Sequence, residues 1–333
     1  MPTYNQEKFV GLAIKSVLSQ TIPIHEIIVS NDCSTDDTRN VLGILGKEIP
    51  NLKCIHQIVN LGISRNAKAC MEMAEGNFII RLDSDDILKP NYAEQLGNQL
   101  ILHPLAGYAH AAVQQIDQFG NFKKVRSLAR LSGYQDSNMA LKDAIKGFKV
   151  AANIIMYKTE ALRAVSFSPS PINFAEDYYL TSSLSSAGFG NVYLDKVLSE
   201  YRVWKDRGKT RSKRKLIEIS GLNAVIEDVL EPAYKIRNWS FKPIIQMRKS
   251  LAIQHSDCLA WSIYSDSEKT ELKKAIFELD SSGKVKIIGF LYQKRFGFII
   301  DSYKHLKSST KLILKALYTY YRKYISRSFP LAR

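Results

Sequence analysis

Asp83, Ser84 and Asp85 close an apolar run, Phe78-Ile79-Ile80-Arg81-Leu82, and Asp86 adds a third carboxylate. Such a run predicts a buried strand that delivers its last residues to the edge of a sheet. Side chains two apart on an extended segment point the same way, so Asp83 and Asp85 are expected to converge on one cation. Two hard oxygen ligands leave most of the coordination sphere to water and substrate oxygens, which suits Mg2+ or Mn2+ shared with a diphosphate. The pair alone is not specific, because acidic turns after strands are common. As a calcium-binding EF-hand loop the stretch fails: Leu88 stands where the sixth-position glycine belongs, and Ile87 falls on a ligand position. A metal-dependent phosphatase with Asp83 as nucleophile would show the same Asp-x-Asp, although Ile87 lies where that motif takes Thr or Val.

The elements that must position these carboxylates alternate along the first two hundred residues. Glu7 to Gln20 predicts a helix with Phe9, Ala13, Ile14 and Val17 on one face. Glu26-Ile27-Ile28-Val29 predicts a short strand that runs into the polar cluster Ser30 to Asp37, where Ser34 or Thr35 is expected to cap a helix over 36–45. Lys53 to Val59 follows as a strand and Ser64 to Ala74 as a helix, and Gly76 then punctuates the entry to the strand that carries Asp83. This rhythm predicts an α/β sandwich with a mostly parallel sheet, and ligands in such sheets bind beyond the carboxyl ends of the strands. Asp32 and Asp83 both follow strands at that rim. No G-x-G-x-x-G or P-loop is present, which removes dinucleotide oxidoreductase and ATPase readings.

Bulk properties narrow the class further. The 333 residues are 45% apolar and 24% charged, ordinary for a globular protein with a real core. No stretch reaches eighteen apolar residues, and Glu7 and Lys8 interrupt any signal-peptide pattern, so a cytoplasmic location is expected. The four cysteines form no C-x-x-C pair or zinc spacing and read as reduced thiols. Charge is uneven: residues 1–200 carry 19 basic and 20 acidic side chains, whereas the remainder carries 28 and 12. A basic C-terminal part predicts a polyanionic partner, and without a nucleic-acid-binding signature an anionic membrane surface or a phosphorylated substrate is expected rather than nucleic acid.

Seven segments in order carry a resemblance. Met1-Pro2-Thr3-Tyr4-Asn5 precedes Ile27 to Thr38 (IIVSNDCSTDDT), followed by Asn60-Leu61-Gly62-Ile63-Ser64-Arg65-Asn66 and Ala74-Glu75-Gly76. Arg81 to Asp86, Glu176-Asp177 and Glu200-Tyr201-Arg202-Val203 continue the series. Over about residues 1–205 the chain resembles family 2 glycosyltransferases of the GT-A fold, enzymes that invert anomeric configuration by a single displacement. The resemblance implies a GT-A catalytic domain over 1–205 and a basic, mainly helical extension over 206–333. It also implies that the first strand is missing, because the family places about half a dozen apolar residues ahead of Pro-Thr-Tyr-Asn.

The resemblance further implies a UDP-sugar donor and individual roles. Tyr4 would stack on uracil, with backbone near Pro2 and Thr3 contacting the base, and Asp32 would accept from the uracil imide. Arg65 joins the donor-binding residues. Asp83 would bind the ribose or a metal-bound water, and Asp85 would ligate Mg2+ or Mn2+ across the diphosphate. Asp177, beside Glu176, matches the family's general base, which would take the proton of an acceptor hydroxyl. Trp204 stands where many relatives have histidine, so a histidine metal ligand is not expected. The acceptor is expected to be a growing surface glycan or lipid-linked glycan. An inactive sugar-nucleotide or membrane-binding module is the remaining alternative.

Two basic stretches lie downstream. Lys205 to Lys215 is dense in Lys and Arg, as a loop that closes over a diphosphate would be. On a helical wheel from Lys311 to Arg327, Lys311, Lys315, Arg322, Lys323 and Arg327 fall opposite Ile313, Leu314, Leu317, Tyr320, Tyr321, Tyr324 and Ile325. This pattern predicts an interfacial helix on anionic lipid, peripheral on the cytoplasmic face.

Overall fold

The structure, a computed structural model, describes residues 1–168, 170–205, 212–298 and 300–302. Both the tail over 311–327 and the centre of the basic stretch, 206–211, lie outside the described residues. The chain divides into two compact units, Met1–Met247 and Arg248–Arg333.

The first unit opens with β1 (Pro2–Thr3), α1 (Val10–Leu18), β2 (Ile27–Asn31), α2 (Thr38–Glu48), β3 (Leu52–His56) and α3 (Ile63–Glu72). It continues through β4 (Phe78–Arg81), β5 (Ile87–Leu88), α4 (Tyr92–Leu102), β6 (Ala106–Ile116), β7 (Phe122–Arg126) and β8 (Gly133–Gln135). Next come α5 (Ser137–Ala144), β9 (Ile155–Lys158), α6 (Thr159–Ala164), α7 (Glu176–Ser186) and β10 (Gly190–Arg202). Helices α8 (Lys215–Ala224) and α9 (Glu231–Ile236) follow, joined by a π-helical turn at Val225–Leu230.

The alternation expected from the sequence is present, but the sheet is only partly parallel. Strands β1-β2-β3 form a parallel three-stranded sheet. The larger sheet runs β4-β9-β6-β10-β5, in which β6 and β10 are parallel and the other pairings antiparallel. Its hairpin-like additions, β7 on β6 and β8 on β10, are antiparallel as well. The architecture is therefore a GT-A-like α/β fold with a mixed sheet. β7 returns onto β6 through a short turn and so must run antiparallel to it, and β5 enters from the reversing Asp83–Asp86 turn to pair antiparallel with β10.

Burial explains the local choices. All five residues of β2 and the first eight of β6 are buried, as helices on both faces require. The apolar stripe of α1 holds as Val10, Ala13, Ile14 and Val17. Phe9 departs from the expected face: it precedes the helix, and its ring turns to Trp204. Neither Ser34 nor Thr35 caps α2, which starts after Asp37 without a side-chain cap; both residues bond to the Asn5 turn instead.

β1 is short, pairing Pro2 with Ser30 and Thr3 with Asn31. Ahead of it, the Met1 ammonium donates to Ile28 O at 2.7 Å. An apolar cavity of about 370 Å³ lies between Ile27–Ile28 of β2 and Phe78–Leu82, with α3 and α4 contributing Met71 and Gly97 to its walls. The cavity lies between the two sheets, with β2 on one wall and β4 on the other.

Helix α10 (Lys242–His255) starts in the first unit and ends in the second, where a 3-10 turn, α11 (Asp266–Leu279) and α12 (Gly283–Gln293) follow. Ser265 and Glu268 form a capping box at the start of α11. Leu272, Ile276 and Leu279 are buried in the same unit as Val285 and Ile288. The C-terminal region is thus helical, and no helix among the described residues is long and apolar enough to cross a membrane.

Candidate functional site

Three tight segments meet beyond the ends of β1, β2 and β4. After β1 the chain turns through Tyr4 and Asn5, and Asn5 takes the left-handed conformation that asparagine tolerates. Asn5 N donates to Ser34 Oγ at 2.9 Å and Asn5 Oδ1 accepts from Thr35 N at 2.8 Å, so the turn is laced to the loop after β2. Tyr4 is left 47% exposed with its ring available to a ligand, whereas Pro2 and Thr3 are buried in β1.

Asp32 is buried at the end of β2 and accepts from Leu61 N at 2.7 Å and Gly62 N at 2.9 Å. Its carboxylate thus shapes the loop into α3, a turn-forming role beside the ligand role expected of it. Gly62 is required there: its φ is +80°, and a Cβ would lie 1.7 Å from Asn173 Nδ2. Asn173 Oδ1 in turn accepts from Ser64 N at 3.1 Å, tying the start of α3 to the loop that precedes Glu176. Asn66 anchors the same helix on β2, donating to Ser30 O at 2.9 Å. Arg65 is exposed on the first turn of α3.

The Asp83–Asp86 segment is not the extended stretch that the sequence pattern predicts. It is a turn closed by Asp86 N donating to Asp83 O at 3.1 Å, because the chain must reverse to enter β5 and pair with β10. Asp83 and Asp85 consequently meet different neighbours. Asp83 Oδ1 accepts from Arg81 Nη2 at 3.3 Å, and Asp85 Oδ2 accepts from the Trp204 indole Nε1 at 2.7 Å. They remain electrostatically coupled: burial pushes the Asp85 carboxyl up, and the charge of Asp83 pushes it further. Asp86 is driven well above the usual carboxylate range by burial and then by Asp85 and Asp83. Asp86 Oδ1 accepts from Arg202 N at 2.8 Å, while Oδ2 is buried without a hydrogen-bond partner among the described residues.

Two arginines hold this cluster together, and no local pattern in the sequence marks either. Arg81 is buried at the end of β4, and its guanidinium bridges Asp83, Glu176 Oε1 at 3.2 Å and Asp177. Burial alone opposes its charge, but the pull of Asp83 and Glu176 outweighs that and raises its pKa above the ordinary arginine value. Glu176 and Asp177 occupy the first turn of α7, where negative charge also meets the helix dipole. Arg202 at the end of β10 donates through Nε to Asp85 O at 2.9 Å and stacks over Phe9 at 4.6 Å. A lysine–carboxylate pair, Lys89 with Glu200, closes the β5–β10 edge.

Asp83, Asp85, Asp86, Glu176 and Asp177 are thus set against Arg81 and Arg202, leaving the cluster with excess negative charge. No group of three or more Asp, Glu, His or Cys side chains among the described residues forms a self-sufficient metal cage. The donor set is hard oxygen, with one oxygen of Asp85 and one of Asp83 outside these bonds. Such a set fits a divalent cation completed by water and ligand oxygens, and not a structural zinc.

Residues 1–165 match the model of the glycosyl transferase family 2 domain. Among curated relatives, the GalNAc(5)-diNAcBac-PP-undecaprenol beta-1,3-glucosyltransferase of Campylobacter jejuni is 33% identical over 145 residues, covering 43% of this chain and 45% of that protein. The putative teichuronic acid biosynthesis glycosyltransferase TuaG of Bacillus subtilis is 26% identical over 219 residues, 63% of this chain and 83% of that protein. Several relatives are longer, and the chain spans between 26% and 45% of their length. The S. aureus TarS 1–349 structure in complex with UDP superposes with a TM-score of 0.54 at 16% identity, covering 89% of each chain, and supports the fold. TarS has also been solved with UDP-GlcNAc. Through the domain that carries Tyr4, Asp32 and the Asp83–Asp86 turn, the chain belongs to glycosyl transferase family 2.

Proposed function

We propose that this protein is an inverting glycosyltransferase that moves a hexose or N-acetylhexosamine from a UDP-sugar to a hydroxyl of a glycan acceptor. The observation that carries the reading is the joining of the Tyr4 turn, Asp32, the Asp83–Asp86 turn and Glu176–Asp177 at one rim of a family 2 domain. TarS, which shares the fold, is seen with UDP and UDP-GlcNAc, and the relatives named above are a putative teichuronic acid biosynthesis glycosyltransferase and a GalNAc(5)-diNAcBac-PP-undecaprenol glucosyltransferase. The family match displaces the phosphatase alternative with Asp83 as nucleophile.

In this reading Tyr4 stacks on the uracil, backbone at Pro2 and Thr3 lines the base, and Asp32 accepts from the imide through a lone pair not used by Leu61 and Gly62. Arg65 reaches toward the donor from α3. Asp83 binds the ribose, and Asp85, with Asp83, holds Mg2+ or Mn2+. The cation would neutralise charge building on the departing diphosphate. Asp177 takes the proton of the acceptor hydroxyl, and Glu176 supports it. Arg81 holds the base and the ribose-side carboxylate in one geometry. Calorimetric titration with UDP and MnCl2 tests the site: micromolar binding is expected. Tyr4→Ala should weaken it by roughly tenfold, since stacking on a base is worth about 1–3 kcal/mol. No binding at millimolar UDP would overturn the assignment.

We further infer attachment to the cytoplasmic face of the membrane through the basic tail, motivated by its charge pattern. Removal of residues 308–333 should abolish sedimentation with anionic vesicles. Undiminished sedimentation would rule the tail out.

A further inference from the structure

Trp204 stands just past β10 and donates its indole N–H to Asp85 Oδ2 at 2.7 Å, across 119 residues of sequence. Its ring is held independently, edge-on against Phe9 at 5.2 Å and 89° between planes. Phe9 is clamped from its other partner by the Arg202 guanidinium at 4.6 Å. Arg202 also fixes the backbone of the turn, donating to Asp85 O at 2.9 Å. Backbone and side chain of Asp85 are therefore positioned by two different residues at the same strand end.

The chemistry of the donor decides what this bond does. An indole N–H donates and cannot accept, and it neither ligates a metal nor loses its proton at neutral pH. It therefore occupies a lone pair of Oδ2 and turns Oδ1, which takes no hydrogen bond from it, toward a cation. We propose that Trp204 is the positioning residue that fixes Asp85 as a one-oxygen ligand to the divalent cation. The proposal rests on the reading of Asp85 as a cation ligand. A partner that orients a metal-binding carboxylate through its second oxygen typically contributes 10- to 100-fold in metal affinity.

The test uses the full chain with Mn2+ titrated in the presence of UDP, against the same UDP without protein, and bound Mn2+ read by electron paramagnetic resonance. Trp204→Phe keeps an aromatic ring against Phe9 and removes the N–H donor. It should weaken Mn2+ binding by roughly tenfold in a chain that still unfolds cooperatively. A second measurement needs no change at Trp204: in a chain with Trp239→Phe and Trp261→Phe, Mn2+ should quench the remaining indole emission along the same binding curve. Wild-type affinity in Trp204→Phe, with binding lost in Asp85→Asn, would overturn this inference and leave the cation site standing. An absent quench would overturn it too. Mn2+ binding that survives Asp85→Asn unchanged would overturn the cation reading and this inference together.

Discussion

Replacing Arg81 by methionine should cost the first unit about 3–5 kcal/mol of stability, the usual penalty for removing one partner of a buried ion pair. The structure sets the size. Arg81 is buried and meets three carboxylates, with Glu176 Oε1 at 3.2 Å and Asp83 Oδ1 at 3.3 Å. At such separations and an effective dielectric near 20, each gross attraction is about 5 kcal/mol before desolvation. Asp83 and Glu176 keep some contact with water and can rehydrate, but the Asp177 side chain is only 5% exposed and would stay buried beside an apolar methionine. One stranded buried carboxylate accounts for most of the loss. Arg81→Lys keeps the charge without the planar fork and should lose about half as much. Urea unfolding followed by near-ultraviolet circular dichroism at pH 7.5 measures both. A loss below about 1 kcal/mol for Arg81→Met would refute the reasoning, because it would mean that the carboxylates are already solvated.

Two further outcomes are expected. His110 is buried between Tyr108 and Tyr193, and burial followed by the charge of Arg130 pushes its pKa down to about 3. The unfolded chain then binds more protons below pH 6.5, so stability should fall by about 2 kcal/mol from pH 7 to pH 5, and His110→Phe should flatten that slope; equal slopes would refute it. Five β-branched residues fused ahead of Met1 should extend the β1–β2 pairing and fill the 370 Å³ cavity. Apolar burial less the ordering cost leaves a gain of about 2–3 kcal/mol, read as a higher melting temperature; no rise would show that the cavity does not accept a strand.

Much of the site was legible because its residues sit in local patterns. The apolar run Phe78–Leu82, the polar stop after Val29 and the acids before Tyr178 each mark the end or start of an element within a few residues. What was not legible depends on partners far along the chain. Arg81 meets Glu176 across 95 residues, and Trp204 meets Asp85 across 119. Nothing in the neighbourhood of either residue announces those contacts. The mixed sheet escaped for the same reason: the long β6–β10 pairing is parallel, yet β9 and β5 enter antiparallel from loops whose direction no periodicity encodes. Asp32 shows a third limit. Its place after a strand marked it for a ligand, while its bonds to Leu61 and Gly62 give it a structural task as well.

The most direct measurement is UDP release from a panel of UDP-hexoses and UDP-N-acetylhexosamines, with and without Mn2+, for the wild-type chain, Asp85→Asn and Asp177→Asn. The proposed function predicts release from at least one donor that requires the cation, falls at least a hundredfold in Asp85→Asn and falls at least as far in Asp177→Asn with an acceptor present, roughly what loss of a metal ligand or a general base costs. Release from no donor, or release that persists in Asp177→Asn, would contradict it.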